Sequence, residues 1–395
     1  MRPDRPVLIA GGGIGGLAAA IALGQHGIAT HILERRSAFS EDGAGIQLSP
    51  NAVRVLERLG VAEHLAANVG IPDAIVVRGG RSGRALHRLP LGDWIAHRHG
   101  APYWLAHRRE LQAALLAVAR RQPRIQFTMD FQASAYDDDN AARVRVSSAS
   151  GETVEGCALI GADGVFSRVR EQLGGSGGVT FSGLTAARTV ITADARRTTL
   201  DTSSVGVWLA PGAHVVHYPV RGERDSAVDI AVVVISPATT DAHGWALPVS
   251  ATDVLASISG FAPVLLDTLK QAMDWRRWSL YELDGVARWS IGRVTLLGDA
   301  AHPTLPFFAQ GGALALEDAV VLADQIAGAS DMTSALAAYE KARRSRAGAI
   351  VATGRRNGRI FHLGGLTARA RDVALRTLPP ARVMARYDWV YGWRP

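Results

Sequence analysis

Gly11-Gly12-Gly13-Ile14-Gly15-Gly16 constrains this chain more than any other stretch, because of what flanks it. Val7-Leu8-Ile9-Ala10 before it predicts a short buried strand, and Leu17 to Leu23 after it predicts a helix. Gly11, Gly13 and Gly16 satisfy the G-x-G-x-x-G spacing. A second apolar run, Ala29 to Leu33, ends in Glu34, eighteen residues beyond Gly16. In a strand–turn–helix–strand unit the first glycine allows the tight turn and the second lets backbone approach a pyrophosphate. The third lets helix and strand pack closely, and the acid accepts from ribose hydroxyls. The helix N-terminus adds free N–H groups and the positive end of its dipole. A dinucleotide site is expected here; a glycine turn used only for packing is the competing reading.

At 395 residues the chain exceeds one typical domain, so two domains sharing a large core are expected. Hydrophobic content of 48% and charged content of 20% are globular values, which excludes a disordered chain. Arg2 and Arg5 precede apolar residues as in a signal peptide, but glycines interrupt that stretch and the nucleotide unit explains it better. No run long enough for a transmembrane helix occurs. Cys157 is the single cysteine, so an intramolecular disulfide is impossible and the cytoplasm is the expected compartment. The histidines lack ligand spacing, and no metal site is expected. The net charge of +7 is carried by arginine, with Lys270 and Lys341 the only lysines. No nucleic-acid recognition motif accompanies that charge, so no nucleic-acid partner is expected. Solvated helix faces or a subunit interface account for it, and a basic field also draws in anionic substrates.

The elements are predicted to be discontinuous. Residues 1–70, 101–175 and 285–360 read as the nucleotide domain. Residues 71–100 and 176–284, with β-like runs such as Val205 to Leu209, Val215 to Val220 and Val228 to Ile235, read as a separate, mainly β domain. Arg143 to Ser147 and Thr153 to Ile160 resemble a hairpin across Ser150-Gly151. Residues 361–395 read as a C-terminal helical segment.

Two further motifs sharpen the reading. Gly161-Ala162-Asp163-Gly164 follows the apolar strand Ala158-Leu159-Ile160, and Gly298-Asp299-Ala300-Ala301-His302-Pro303 follows Val294 to Leu297. Aspartates at strand ends project into the crevice where a ligand lies. With the glycine loop, they resemble the single-component FAD-dependent aromatic hydroxylases of the para-hydroxybenzoate hydroxylase fold, over nearly the whole chain. Gly43-Ala44-Gly45-Ile46-Gln47-Leu48-Ser49-Pro50-Asn51, His107-Arg108-x-x-Leu111 and Pro306-x-x-Ala309-Gln310-Gly311 look like the subgroup of salicylate, 3-hydroxybenzoate and 6-hydroxynicotinate hydroxylases. The implied fold is α/β: a Rossmann-like FAD-binding domain with an inserted, mainly β substrate domain and C-terminal helices.

The resemblance implies roles. Gly11, Gly13 and Gly16 would hold the FAD pyrophosphate, Glu34 the adenosine ribose, and Arg35 the adenine side. Arg108 would contact the flavin or its phosphates. Asp163 lies in a motif associated with both FAD and the nicotinamide nucleotide, and Asp299 would hold the ribityl or pyrophosphate portion. Gln310, Gly311 and Gly312 would begin a helix aimed at the flavin pyrimidine, where its dipole stabilises the reduced ring. The implied reaction uses NAD(P)H, with NADH slightly favoured, and O2 to hydroxylate a small anionic phenolic or hydroxypyridine-type aromatic through a flavin hydroperoxide. The alternatives are a flavin reductase or dehydrogenase on the same fold, and a non-catalytic flavin-binding protein.

Such chemistry needs a group that favours the phenolate, and histidine suits it. On a strand, His214 and Tyr218 share one face and His217 points to the other. Relatives with a His-x-x-x-Tyr pair use it near the substrate, which nominates His214 and Tyr218 as catalytic, with Gln310 orienting substrate or flavin. A buried structural histidine is the alternative for His214. His302 either faces the pocket or holds a turn. Asp229 would repel a carboxylate substrate if it faced the pocket. The chain is expected to be a monomer or a homodimer.

Overall fold

The computed structural model describes residues 5–39, 44–140, 143–174, 178–194, 198–221, 227–241 and 246–395. Val7–Ala10, Thr30–Leu33, Ile125–Thr128, Ala158–Gly161 and Val294–Leu296 pair in parallel, and Ser290–Ile291 adds an antiparallel edge. Val7–Ala10 lies in the middle, with Thr30–Leu33 on one side and Ala158–Gly161 on the other. The strand order therefore reverses at its carboxyl end, which opens a crevice there. Val7, Leu8 and Ile9 are fully buried, as a strand covered on both faces requires. The helix Ile14–Gln25 packs against the sheet and against the helix Gly311–Gly328.

The second large sheet has eight strands, in the order Leu247–Val249, Trp275–Leu283, Val179–Asp194, Ala227–Pro237, Ala213–Arg221, Ser204–Ala210, Ala74–Gly79 and Ala85–Pro90. All pairs are antiparallel except Ser204–Ala210 with Ala74–Gly79. Its two faces carry different jobs, because side chains alternate along each strand. Val215, Ile230, Val232 and Val234 point to a core closed by Val254, Leu265 and Leu269 of the helices Ala251–Ser257 and Pro263–Leu269. His214, Val216, Tyr218, Val233 and Ile235 point the other way, toward the crevice. The molecule is thus α/β, with a parallel nucleotide-type sheet, a mainly β second sheet and a helical C-terminal region that includes Met332–Phe361 and Gly365–Thr377.

The expected hairpin is half right. Arg143–Ser148 pairs with Thr153–Gly156, but the run then divides, and Ala158–Gly161 crosses into the parallel sheet. Gly156 sets the break: a Cβ there would lie 2.5 Å from Leu8 Cγ. Cys157, between the two strands, is buried, and burial pushes its thiol up to about 11, so it stays unreactive.

Candidate active site

The crevice at the switch point is one continuous pocket of about 730 Å³, running from Glu34 and Arg35 at one end to His214 and Tyr218 at the other. Its floor is the glycine loop. Gly11 has φ +105°, and a Cβ on it would lie 2.5 Å from the Ala162 carbonyl. A Cβ on Gly16 would lie 2.0 Å from the Gly11 carbonyl, so helix and turn touch there. Gly13 is different: nothing in the protein lies within 4 Å of the Cβ it lacks, and it faces the pocket. The Glu34 carboxylate accepts the Gly12 N–H at 2.7 Å and the Arg36 N–H at 3.0 Å, which locks the acid beside the loop. Arg35 is exposed along the same rim.

Farther along, Asp299 and Arg108 are exposed into the pocket, and each feels the other's opposite charge. Loss of bulk solvent inside the crevice nevertheless raises the Asp299 carboxyl above its ordinary range. Gly298 carries φ +63°, which turns the chain at the end of Val294–Leu296 and delivers Asp299 to the crevice. Gln310 precedes the helix Gly311–Gly328, whose first residues, Gly311 and Gly312, line the pocket. A Cβ on Gly311 would lie 2.9 Å from Thr304 Oγ1. Ala309, just before, holds φ +50°, a left-handed conformation that costs a non-glycine residue energy.

The wall opposite is the inner face of the eight-stranded sheet. Tyr218 is buried, and burial raises its phenol to about 12. Gly45 lies against it, with a hypothetical Cβ 2.5 Å from the ring. Arg188 lines the same wall with its guanidinium 5.0 Å from the Trp278 ring. Its Nε has no hydrogen-bond partner, and no acid pairs with it among the described residues. His214 also lines the pocket, and its Nδ1 lies 2.8 Å from His362 Nε2. Burial, and then the neighbouring His362, hold His214 down at about 3. His217 points to the opposite face, against Trp208, as alternation requires. Gly206 makes room for it, since a Cβ there would lie 2.0 Å from the imidazole.

A family profile described as FAD binding domain matches residues 4–353. The chain is 34% identical to 3-hydroxybenzoate 6-hydroxylase of Polaromonas naphthalenivorans over 392 residues, 99% of this chain and 96% of that one. It is 34% identical to 6-hydroxynicotinate 3-monooxygenase of Bordetella bronchiseptica over 348 residues, 87% and 89% of the two chains. The Klebsiella pneumoniae HpxO structure complexed with FAD and uric acid superposes with a TM-score of 0.85 at 25% identity, covering 99% of this chain and 97% of that one. The chain belongs to the single-component FAD-dependent aromatic hydroxylases. It is a flavoprotein monooxygenase, and its residues fit the cofactor: the open Cβ position at Gly13 is a cradle that a side chain would fill, and the helix start at Gly311 and Gly312 lines the same pocket.

In this hydroxylase several expected residues have other partners. The Asp163 carboxylate accepts from Ser167 Oγ and from the N–H groups of Arg168 and Val169, so it caps the short helix Arg168–Gln172 at the edge of the pocket. Gln310 was expected to orient substrate or flavin, and its carboxamide closes a ring: Nε2 donates to Ser49 Oγ at 2.9 Å, Ser49 Oγ donates to Asn51 Oδ1, and Asn51 Nδ2 donates to Gln310 Oε1 at 3.1 Å. Gln310 still lines the pocket, at the start of the helix Gly311–Gly328. His302 holds the turn, with Nε2 2.6 Å from Asp318 Oδ2. Burial opposes charge on this pair, yet mutual attraction outweighs it, so His302 is raised and Asp318 held at about 2. Asp229 does not line the pocket; it binds His107 at 3.3 Å and Thr192 at 2.8 Å. Sequence reading passed over Arg188 and His362. Alternation along Val179–Asp194 shows which face Arg188 takes, but only pairing tells which strand it sits beside. No sequence signal joins His362 to His214, 148 residues apart.

Proposed function

We propose that this hydroxylase acts on a small hydroxyaromatic carboxylate, a hydroxybenzoate or a hydroxypyridine acid, with NADH as the electron donor. Arg188 carries this reading. A guanidinium on the pocket wall without an acid partner among the described residues is matched to a planar carboxylate, which it grips through two parallel N–H bonds. The hydroxybenzoate and hydroxynicotinate named in the relatives are substrates of that kind. Bound FAD supplies the oxygen-activating chemistry. The protein's work is to place the ring, exclude water and favour the ionised phenol. In this reading Arg188 anchors the carboxylate, Tyr218 hydrogen-bonds the ring substituents, and His214 accepts the hydroxyl proton. Gly11, Gly13, Gly16, Glu34 and Arg35 hold the adenosine and pyrophosphate end, Arg108 and Asp299 the middle, and Gly311 and Gly312 the pyrimidine edge. Asp163 shapes the rim. Residues 71–100 and 176–284 form the substrate domain on the FAD domain, in a cytoplasmic monomer or homodimer.

The test is a panel of phenols, hydroxybenzoates and hydroxypyridine acids with NADH oxidation, oxygen uptake and peroxide release recorded together. A substrate accelerates NADH loss without matching peroxide. Arg188→Met should raise KM for the carboxylate substrate by about 10- to 100-fold, the loss of one charge-assisted contact of roughly 1.5–3 kcal/mol. The same variant should treat the matching carboxylate-free phenol as wild type does. Equal effects on both compounds would remove Arg188 from the anchor and with it the acid class of substrate.

A further inference from the structure

His362 follows Met332–Phe361, the longest helix among the described residues, and is far along the chain from every motif that carries the family resemblance. Its Nε2 nevertheless faces His214 Nδ1 at 2.8 Å. One imidazole of such a pair must donate and the other accept, so the two tautomers are linked. His214 is buried on the pocket wall, whereas His362 is only part-buried. The pair therefore reaches from the substrate chamber toward the outside of the molecule. Its surroundings are apolar: Phe307 and Phe361 lie against His214, and Phe307 meets His362 edge-on at 5.6 Å. The Gly212 N–H donates to the His362 carbonyl. No carboxylate pairs with either ring among the described residues, and Arg371 is the cation held beside this segment, its guanidinium donating to the Ile360 and Phe361 carbonyls. A proton received by His214 thus meets no paired carboxylate among the described residues, and low-dielectric burial drives it onward.

We propose that His214 and His362 form a two-imidazole relay that carries the substrate's hydroxyl proton out of the pocket. The relay rests on the reading that the substrate is a hydroxyaromatic. The substrate O–H bond breaks as its proton passes to His214 Nε2. The Nδ1–H of His214 passes to His362 Nε2. His362 then releases its own Nδ1 proton to water. As the ring regains aromaticity, the hydrogen on the hydroxylated carbon leaves as a proton to water; a proton from water returns through His362 Nδ1 and His214 to the product oxygen, so product leaves as the neutral phenol and both tautomers are restored. No charge remains on the buried ring at either stage. His362 acts through His214 and does not touch substrate; it is a positioning and relay residue.

The experiment uses the FAD-loaded enzyme and variants His362→Gln and His362→Asn, with 3-hydroxybenzoate as first probe and the panel after it. Two readouts are taken: turnover against pH, and the rise of phenolate absorbance on anaerobic mixing with oxidised enzyme. Both variants should keep FAD, thermal midpoint and KM. Their kcat and phenolate formation at neutral pH should fall together by about 10-fold, less than the roughly 100-fold expected for His214→Ala, which removes the direct acceptor. The deficit should shrink as pH rises toward the phenol's own pKa, and free imidazole should restore part of it. Flavin-loaded variants with wild-type kcat, pH profile and phenolate formation overturn the relay. So does joint loss of FAD and activity without imidazole rescue in both variants, because His362 is then a packing residue. Wild-type enzyme that ionises and hydroxylates no member of the panel overturns the substrate reading as well, and that result is visible before any substitution.

Discussion

The two ends of the pocket are built from different materials. The end beside Glu34 is built around backbone: the glycines, N–H groups and helix start of residues 11–15 lie in one stretch of chain, with the Glu34 carboxylate locked against them. The end beside Tyr218 is side chain: Arg188 comes from the strand Val179–Asp194, His214 and Tyr218 share the strand Ala213–Arg221, and His362 follows a distant helix. The difference teaches where specificity can drift. A backbone cradle is fixed by turn geometry, and most substitutions in it break it. A side-chain wall is fixed by strand register, and each residue on it can change without disturbing its neighbours' backbone.

The largest expected effect tests the cradle. Gly13 and Gly16 belong to one motif, but their missing Cβ atoms meet different things. Gly16→Ala drives a methyl into the Gly11 carbonyl at 2.0 Å, so the protein itself should lose stability, by about 3 kcal/mol, the upper range for overpacking. Gly13→Ala meets only open pocket. It should fold with a wild-type thermal midpoint when stripped of flavin, and should retain little FAD. Flavin absorbance and apoprotein melting separate the two. If both variants melt alike and bind FAD alike, the division between packing glycine and ligand glycine is wrong.

That division shows what the sequence made legible and what it did not. The glycine loop, Glu34 and Asp299 were readable because their partners follow at fixed short spacing or at strand ends. The opposed faces of His214 and His217 were readable because alternation has period two. The partners of the Gln310 carboxamide, Ser49 and Asn51, were not readable because they are about 260 residues away, and no local pattern reports a ring of amide and hydroxyl bonds. Arg188 and His362 were passed over for the same reason. Their meaning lies in what they face across the fold.

A second test sets the wall against the buried pair under the cradle. His214 and His217 are held neutral, at about 3 and about 4, by burial. In the unfolded chain they take up protons near pH 6.5. Between pH 6.5 and about 4 the unfolded state therefore binds more protons, and stability falls on acidification by up to about 1.4 kcal/mol per pH unit for each ring. His302 has the opposite sign. Asp318 raises it, so its contribution is full below the unfolded value and fades as pH rises through the folded one. His217→Leu should flatten the acid limb of urea-derived stability and leave the alkaline limb alone. An unchanged acid slope in that variant would mean the His217 ring is not held neutral in the folded wall.

The smallest expected effect concerns Asp229, the residue whose charge looked most hostile to an acidic substrate. It shares the strand Ala227–Pro237 with Val233 and Ile235, and alternation puts all three on one face. The pocket ends before it: Val233 and Ile235 line the cavity and Asp229 does not. Its carboxylate accepts from Thr192 Oγ1 at 2.8 Å and faces His107 Nε2 at 3.3 Å, at the far end of the strand from the His214 pairing. A charge so engaged, outside the chamber, has little hold on a carboxylate gripped by Arg188. Asp229→Asn keeps the shape and the Thr192 contact, so KM for the acid substrate should change by no more than about 2-fold, well under the tenfold that 1.4 kcal/mol represents. The preference for acid over carboxylate-free phenol should likewise stay put. A tenfold gain in affinity for the acid in Asp229→Asn would mean that Asp229 does repel substrate. The wall would then extend two residue pairs farther along the sheet than the cavity shows.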